Sequence, residues 1–362
     1  MRCYTLLLLI NICSCLSQLK AQGFEPLSKD TISIKSICHL GLEKEIIRYQ
    51  HIESKGGWNK IQWKKRTIQL GDSNELVKLV RKRLGVTNET NTKDTSSIYD
   101  HQLGEDIIGY QTRNGLKPDG KIGLATLNAL NVTVQERIRQ IKVNLERCLQ
   151  LPENFGDKYI LVNIPAFELI AMKKNTPVFS SKIVTGKSSN KTAIFKGTMQ
   201  YVVFAPYWNI PKSIMYKEIL PAIAKHPGYL EENQMEWFDG KIRQRPGQWN
   251  ALGSVKFIFP NAYHIYMHDT PAKTLFNEIT RAFSHGCIRI EDPVNMALFL
   301  LEDQKEWNRE KIIEAMNIEK ETVVFLKEKT MVYIIYFTAF IDEKGKLHFR
   351  KDIYGRDRLG ML

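Results

Sequence analysis

Long apolar runs are scarce in this 362-residue sequence. No stretch approaches the roughly 18–20 apolar residues that cross a bilayer as a helix, so no transmembrane span is expected. Cysteine is scarce too. Six are present, and Cys3, Cys13 and Cys15 lie in the first 22 residues, which leaves Cys38, Cys148 and Cys287 beyond them. Three cysteines do not build a disulfide scaffold, and an odd number leaves at least one thiol free. Either Cys38 pairs with Cys148, or both stay reduced and packed. Internal repeats and low-complexity tracts are missing as well, which argues against a repeat array or a disordered polymer. Negative charge is short: 39 acidic residues face 52 basic ones, a net charge of +13. An acidic polymer is therefore a candidate partner. The basic residues are spread along the chain, however, and no recognised nucleic-acid-binding motif occurs, so nucleic acid is not the expected one.

What is present is an ordinary globular balance, 43% hydrophobic and 25% charged, with a length suited to about two domains. The start reads as a signal peptide over 1–22: Met1-Arg2, an apolar stretch from Leu6 to Ile12 broken only by Asn11, and Ala21-Gln22 as the cleavage region. Export is the expectation. Ile12-Cys13-Ser14-Cys15 loosely resembles a lipobox, which would leave the mature chain membrane-anchored through Cys15.

From Gly23 to Leu70 the chain is polar and irregular, with Gly56-Gly57-Trp58 as a turn signal. A compact helical unit is expected over 71–131. Asp72 or Ser73 caps a first helix with Leu76, Leu79, Val80 and Leu84 at helical spacing. A polar loop spans 87–97, a second helix lies near Asp106 to Asn114, and Leu124 to Leu130 forms a third. A linking helix follows over 132–152. Beyond it the pattern turns to strands: Tyr159 to Pro165, Phe167 to Met172, Ile183 to Thr185, Gln200 to Phe204, Val255 to Phe259, Ala262 to Met267, Val323 to Leu326 and Met331 to Phe340. Helical signal returns at Pro293 to Leu301 and Arg309 to Met316. The proline-rich stretch of about 206–253 is too long for a hairpin loop and reads as a subdomain inserted between strands. The fold class is α+β: a mainly β domain over 153–362 with an inserted helical cap, preceded by a three-helix unit.

Chemistry concentrates in two words, Ile265-Tyr266-Met267-His268-Asp269-Thr270-Pro271 and Ser284-His285-Gly286-Cys287-Ile288-Arg289. A cysteine attacks as the thiolate, so it needs a base or a positive field nearby. His268 precedes Cys287, His285 stands two residues before it and Arg289 two after. Gly286 permits an unusual backbone angle beside the nucleophile, and the N–H groups of Gly286 and Cys287 are candidates to face an oxyanion. A zinc reading competes: His264 and His268 would share one side of a strand at period two, with Cys287 completing the set. No fourth ligand is evident, and metal is not the expectation.

The Ser284–Arg289 word with His268 upstream resembles the signature of YkuD-type L,D-transpeptidases. Tyr207-Trp208-Asn209-Ile210-Pro211, Pro227-Gly228-Tyr229-Leu230, Arg245-Pro246-Gly247, Asn250-Ala251-Leu252-Gly253, Lys256 to Asn261 and Phe349 to Asp357 resemble its larger periplasmic branch, which carries a capping subdomain. Gly109 to Leu116, Asp119 to Gly123 and Thr126 to Asn131 resemble a three-helix peptidoglycan-binding module. The resemblance implies a mixed-sheet sandwich and no cofactor. It implies Cys287 as nucleophile and His268 as base, oriented by a group near Asp269. Ser284, His285 and Gly286 would support the site, and Tyr266, Arg289 and Trp208 would line it, Arg289 toward a substrate carboxylate. The implied reaction joins a donor tetrapeptide to an acceptor stem as a 3→3 cross-link with release of D-alanine, and a carbapenem would form an adduct on the same thiol. With water as acceptor the site would be a carboxypeptidase; without chemistry the chain would be a wall-binding protein. Glu146 to Pro152 departs from the family pattern in holding Cys148 and Gln150.

Overall fold

The computed structural model describes residues 34–62, 67–90 and 95–358. The expected signal peptide and the lipobox-like Cys13 and Cys15 lie outside the described residues. The first described element is α1 (Ile34–Ser54), where the sequence suggests irregular structure. Its apolar residues are scattered, and only Leu42, Ile46 and Tyr49 are fully buried. That narrow stripe packs on Val134, Ile138 and Ile141 of a later helix, so tertiary contact rather than a broad apolar face holds it. A disulfide between Cys38 and Cys148, Cα–Cα 5.9 Å, fastens the same pair across 110 residues. Closing a loop of that length stabilises the fold by about 4–5 kcal/mol through the unfolded state. The bridge also accounts for the cysteine at 148.

Three helices follow, α2 (Glu75–Val86), α3 (His101–Arg113) and α4 (Leu124–Leu130). They close around Val77, Val80, Leu84, Leu103, Ile107, Leu127 and Leu130. Asn74 caps α2 through the Leu76 N–H, while Asp72 instead accepts from the Gln69 N–H in the preceding turn. Helix α3 starts ahead of the expected Asp106 because Asp100 caps it, accepting from the Leu103 N–H. Helix α5 (Val134–Leu149) opens on a reciprocal pair in which Thr133 and Glu136 each accept the other's backbone N–H, an arrangement worth about 1 kcal/mol.

The rest is sheet with helices attached. Strands β1 (Lys158–Asn163), β2 (Glu168–Lys173), β3 (Thr176–Gly186) and β4 (Phe195–Phe204) lead to the insertion. The insertion holds β5 (Trp208–Asn209), a helical run α6 over 212–225 with a π turn at Met215–Ile219, α7 (Tyr229–Glu232), β6 (Met235–Phe238) and β7 (Lys241–Gln244). It has its own small sheet, β5-β7-β6, over its own core of Ile210, Met215, Ile219, Met235 and Ile242. The chain then returns through β8 (Val255–Ile258), β9 (Met267–His268), β10 (Ala282–Ser284), β11 (Ile288–Ile290), α8 (Pro293–Leu300), α9 (Arg309–Asn317), β12 (Thr322–Ile335), β13 (Ala339–Ile341) and β14 (Leu347–Phe349).

The main sheet has the order β10-β3-β11-β9-β8-β4-β12-β1-β2, and β3 also pairs with β2. The long β3 thus joins both ends, and the sheet curls round its core instead of ending in two free edges. Alternating residues point inward at period two: Ile160 and Val162, Leu169 and Ala171, Val202 and Phe204, Val255 and Phe257, then Ile288 and Ile290, with Met296, Ala297 and Leu300 of α8 against them. β12 is one strand where the sequence suggests two; its register shifts between Phe325 and Thr330, a bulge that absorbs the exposed Lys327-Glu328-Lys329. The architecture is α+β, a mainly β domain with an inserted cap behind a helical unit, as the sequence implies.

Candidate active site

Two short strands set the geometry. β9 and β11 run parallel with Met267 opposite Ile288 and His268 opposite Arg289, and the Ile288 N–H donates to the Tyr266 carbonyl at 3.1 Å. Side chains alternate along each strand, so Tyr266 and His268 share one face with Cys287 and Arg289 beside them. The Tyr266 and His268 ring centres are 5.7 Å apart.

The turn before β11 is held from inside. Ser284, buried, donates its hydroxyl to the Cys287 carbonyl at 2.6 Å and accepts the Gly286 N–H at 3.1 Å. Gly286 has φ +122°, a conformation that side-chain-bearing residues rarely adopt. Its carbonyl accepts the Thr192 hydroxyl at 2.8 Å, and that hydroxyl accepts the Gly186 N–H at 2.9 Å. Tyr354, near the C-terminus, donates its hydroxyl to the Gly186 carbonyl at 2.5 Å and accepts the Thr192 N–H at 3.2 Å. Sequence reasoning does not single out Thr192, and it takes in Tyr354 only within the Phe349 to Asp357 word, with no role attached. Thr192 stands 94 positions from Gly286 and carries no motif of its own.

His268 is buried, and its Nδ1 lies 2.5 Å from the backbone carbonyl of Asp269. A carbonyl only accepts, so Nδ1 carries the proton and Nε2 keeps the lone pair. Burial, and after it the Arg289 charge, hold the imidazole down to about 3; it is neutral near pH 7. The Asp269 carboxylate turns elsewhere, to the Ser254 N–H at 3.0 Å and to Lys273 Nζ at 2.5 Å. The group near Asp269 that orients the imidazole is thus its backbone.

Cys287 is the free cysteine among the described residues and is half-buried. Its Sγ lies 4.0 Å from the His264 carbonyl. Burial pushes the thiol up, while the main chain and hydroxyl of Tyr266 and the charge of Arg289 pull it back. No hydrogen bond joins Sγ to His268 among the described residues. The Tyr266 hydroxyl, raised by burial, is in polar contact with both the Cys287 thiol and the Trp208 indole. Arg289 is lowered by burial, and its buried Nε has no hydrogen-bond partner among the described residues.

Two expectations change here. The span Ala262 to Met267 is largely a turn: Asn261 Oδ1 accepts the N–H groups of Tyr263 and Ile265, and His264 has φ +54°. His264 therefore shares no strand face with His268, and the zinc pairing loses its geometry. His285, expected to support the site, is exposed and reaches the cap, where Nε2 meets Glu218 Oε1 at 3.0 Å. Glu218 sits in the π turn of α6. The cap thus touches the site twice, through Trp208 and through Glu218.

Residues 157–334 match the family model for the L,D-transpeptidase catalytic domain, YkuD. Residues 73–130 match the model described as "Putative peptidoglycan binding domain". A curated protein of Haemophilus influenzae, "Putative L,D-transpeptidase", is 29% identical over 241 residues, covering 61% of this chain and 48% of that protein. The match spans about half the length of that relative. Among solved structures, an L,D-transpeptidase from Stackebrandtia nassauensis is similar at 15% identity and a TM-score of 0.31, over 74% of this chain and 94% of that one. One from Xylanimonas cellulosilytica DSM 15894 is similar at 14% identity and a TM-score of 0.24, over 76% of this chain and 100% of that one.

Proposed function

From the premise that this chain carries a catalytic domain of the YkuD L,D-transpeptidase family, we propose that it cross-links exported peptidoglycan through an acyl-enzyme on Cys287. The observation that carries the reading is the side-by-side placement of Cys287, Tyr266, His268 and Arg289 along β9 and β11. The free site holds a neutral thiol and a neutral imidazole, because burial opposes charge on both. Ionisation then accompanies attack: His268 Nε2 takes the thiol proton as Sγ bonds to the carbonyl carbon after the diamino acid of a donor tetrapeptide. Arg289 and the Tyr266 hydroxyl favour the negative sulfur. Of the two N–H groups beside the nucleophile, that of Gly286 is occupied by Ser284 Oγ, which leaves the Cys287 N–H for the oxyanion.

Collapse breaks the C–N bond. The imidazolium returns its proton to the departing amine of D-alanine, and a thioester remains on Cys287. An acceptor amine attacks the thioester and loses a proton to His268; the C–S bond breaks, the 3→3 link forms, and the imidazolium returns the proton to the Cys287 sulfur. Arg289, with no carboxylate partner among the described residues, suits a carboxylate of the stem. The cap, seated by Trp208 and Glu218, restricts water, which favours the amine. The helical unit around 73–130 would hold the enzyme on the wall, and the leader of 1–22 would export it, with Cys15 as a lipid-attachment point in the anchored version. The same thioester chemistry predicts a carbapenem adduct on Cys287, the strained lactam standing in for the donor amide.

The test is incubation of the mature protein with disaccharide tetrapeptide, followed by mass analysis. Release of D-alanine with 3→3 dimers is expected, and both should vanish in Cys287→Ala. Tripeptide products without dimers would make it a carboxypeptidase; no D-alanine release from folded protein would leave only wall binding.

A further inference from the structure

Well away from Cys287, α1, α2, α3, α5 and the β13–β14 hairpin meet around a cavity of about 190 Å³. Its lining carries five cations, Arg48, Arg83, Arg113, Arg137 and Lys346, against two carboxylates, Glu45 and Glu89. Both carboxylates are taken: Arg48 pairs with Glu45 at 2.6 Å, and Arg113 pairs with Glu89. Arg83 and Arg137 are left with no carboxylate among the described residues. Arg83 is 4% exposed and Arg137 7%.

The neutral groups around these two guanidiniums do not replace a counter-ion. Arg83 donates to the Leu130 carbonyl at 2.8 Å and lies over the Trp58 ring at 3.5 Å. Arg137 donates to Asn114 Oδ1 at 2.8 Å, to Gln140 Oε1 at 3.1 Å and to the Ala129 carbonyl at 3.4 Å, is in polar contact with the Tyr110 side chain, and lies over Phe349 at 4.0 Å. The two repel each other, and burial already lowers Arg83. The Tyr49 side chain stands in the field of Arg48, Arg83 and Arg137, and that of Tyr110 in the field of Arg83 and Arg137. Buried charges held without an opposite charge are costly. The guanidinium N–H groups that these contacts leave over, beside the two tyrosine side chains, make a binding surface for oxygen anions.

We propose that this cavity is a second, non-catalytic site that binds a small oxyanion, a carboxylate or phosphate group, through Arg83 and Arg137. The ligand is no larger than about a monosaccharide, given the room, and carries one or two negative charges, because Glu45 and Glu89 on the wall disfavour more. Its binding ties α1, the helical unit and the C-terminal hairpin together at a point where, among the described residues, Arg83 and Arg137 have no carboxylate paired with them. The assignment is independent of the reading of Cys287.

The experiment is calorimetric titration of the mature, disulfide-bonded chain with inorganic phosphate and, separately, acetate, at constant ionic strength set by chloride. Saturable binding of one or both is expected; phosphate alone identifies a phosphoryl ligand and acetate alone a carboxylate. Arg83→Gln and Arg137→Gln should each weaken it about tenfold or more. Lys346→Ala, at an exposed position of the cavity wall, should weaken it a few-fold without disturbing the fold, and so reads the site even if the arginine variants do not fold. The alkylation rate of Cys287 should stay unchanged in all three. Absence of saturable binding by either ion, or equal binding by wild type and Lys346→Ala together with any folded arginine variant, would overturn the proposal.

Discussion

His268 Nδ1 donates to the backbone carbonyl of Asp269 at 2.5 Å, while the Asp269 carboxylate faces away toward Ser254 and Lys273. The imidazole is oriented by main chain, and the acidic side chain serves the loop beneath it. Asp269 also packs against Gly253, whose Cβ, were there one, would meet the carboxylate at 2.4 Å.

Asp269→Asn should therefore leave Cys287 chemistry within a few-fold of wild type and cost about 1–3 kcal/mol of stability through the lost charge partner. His268→Ala should cost about 100-fold or more in acylation. Paired rate and denaturation measurements on the two variants separate the roles. A large rate loss in a stably folded Asp269→Asn would show that the carboxylate acts on the site.

The depressed imidazole has a consequence for acid stability. The folded value is about 3 against an ordinary 6.5, so the unfolded chain binds this proton first as pH falls. Stability from His268 is complete above about pH 6.5 and is lost between there and 3, at up to about 1.4 kcal/mol per pH unit. Denaturation curves at pH 7, 6, 5 and 4 should show that slope, and His268→Asn should flatten it. Thiol alkylation should rise on the alkaline side, where the raised Cys287 ionises, with no inflection near pH 6.5.

The disulfide gives a count. Protein lacking residues 1–22 should show one reactive thiol when folded and, after reduction and unfolding, three. Cys38→Ser with Cys148→Ser should lose about 3–5 kcal/mol yet keep the acylation rate, since the bridge joins α1 to α5 and not to the site. Thiol titration and calorimetry check both.

Much of the site was legible because its chemistry is contiguous. Ser284, Gly286, Cys287 and Arg289 lie within six positions, and β-strand alternation brings Tyr266 and His268 beside them. The supports were not legible, because their contacts are long-range: Thr192 to Gly286 spans 94 positions and Tyr354 to Gly186 spans 168. The partner of His285 was not legible for a related reason, since Glu218 belongs to the inserted cap. Helix α1 escaped notice because its buried stripe is only Leu42, Ile46 and Tyr49, and packing outweighs so weak a local pattern. The turn at Asn261 displaced an expected strand because one side chain satisfies four backbone groups there.

The Glu218–His285 contact makes the cap testable. Glu218→Gln removes the carboxylate through which α6 meets His285 in the turn at Ser284–Cys287. Exposed pairs of this kind are worth under about 1 kcal/mol, so the fold should be unchanged. The ratio of tripeptide to dimer products should rise as water gains access to the thioester. An unchanged ratio would separate the cap from control of the acceptor.

The most direct measurement of the central claim is intact-mass analysis of the mature protein with a carbapenem, in wild type and in Cys287→Ala. The account predicts one covalent adduct on the wild type and none on the variant. No adduct on the folded wild type, or an equal adduct on Cys287→Ala, would contradict Cys287 as the acylated nucleophile.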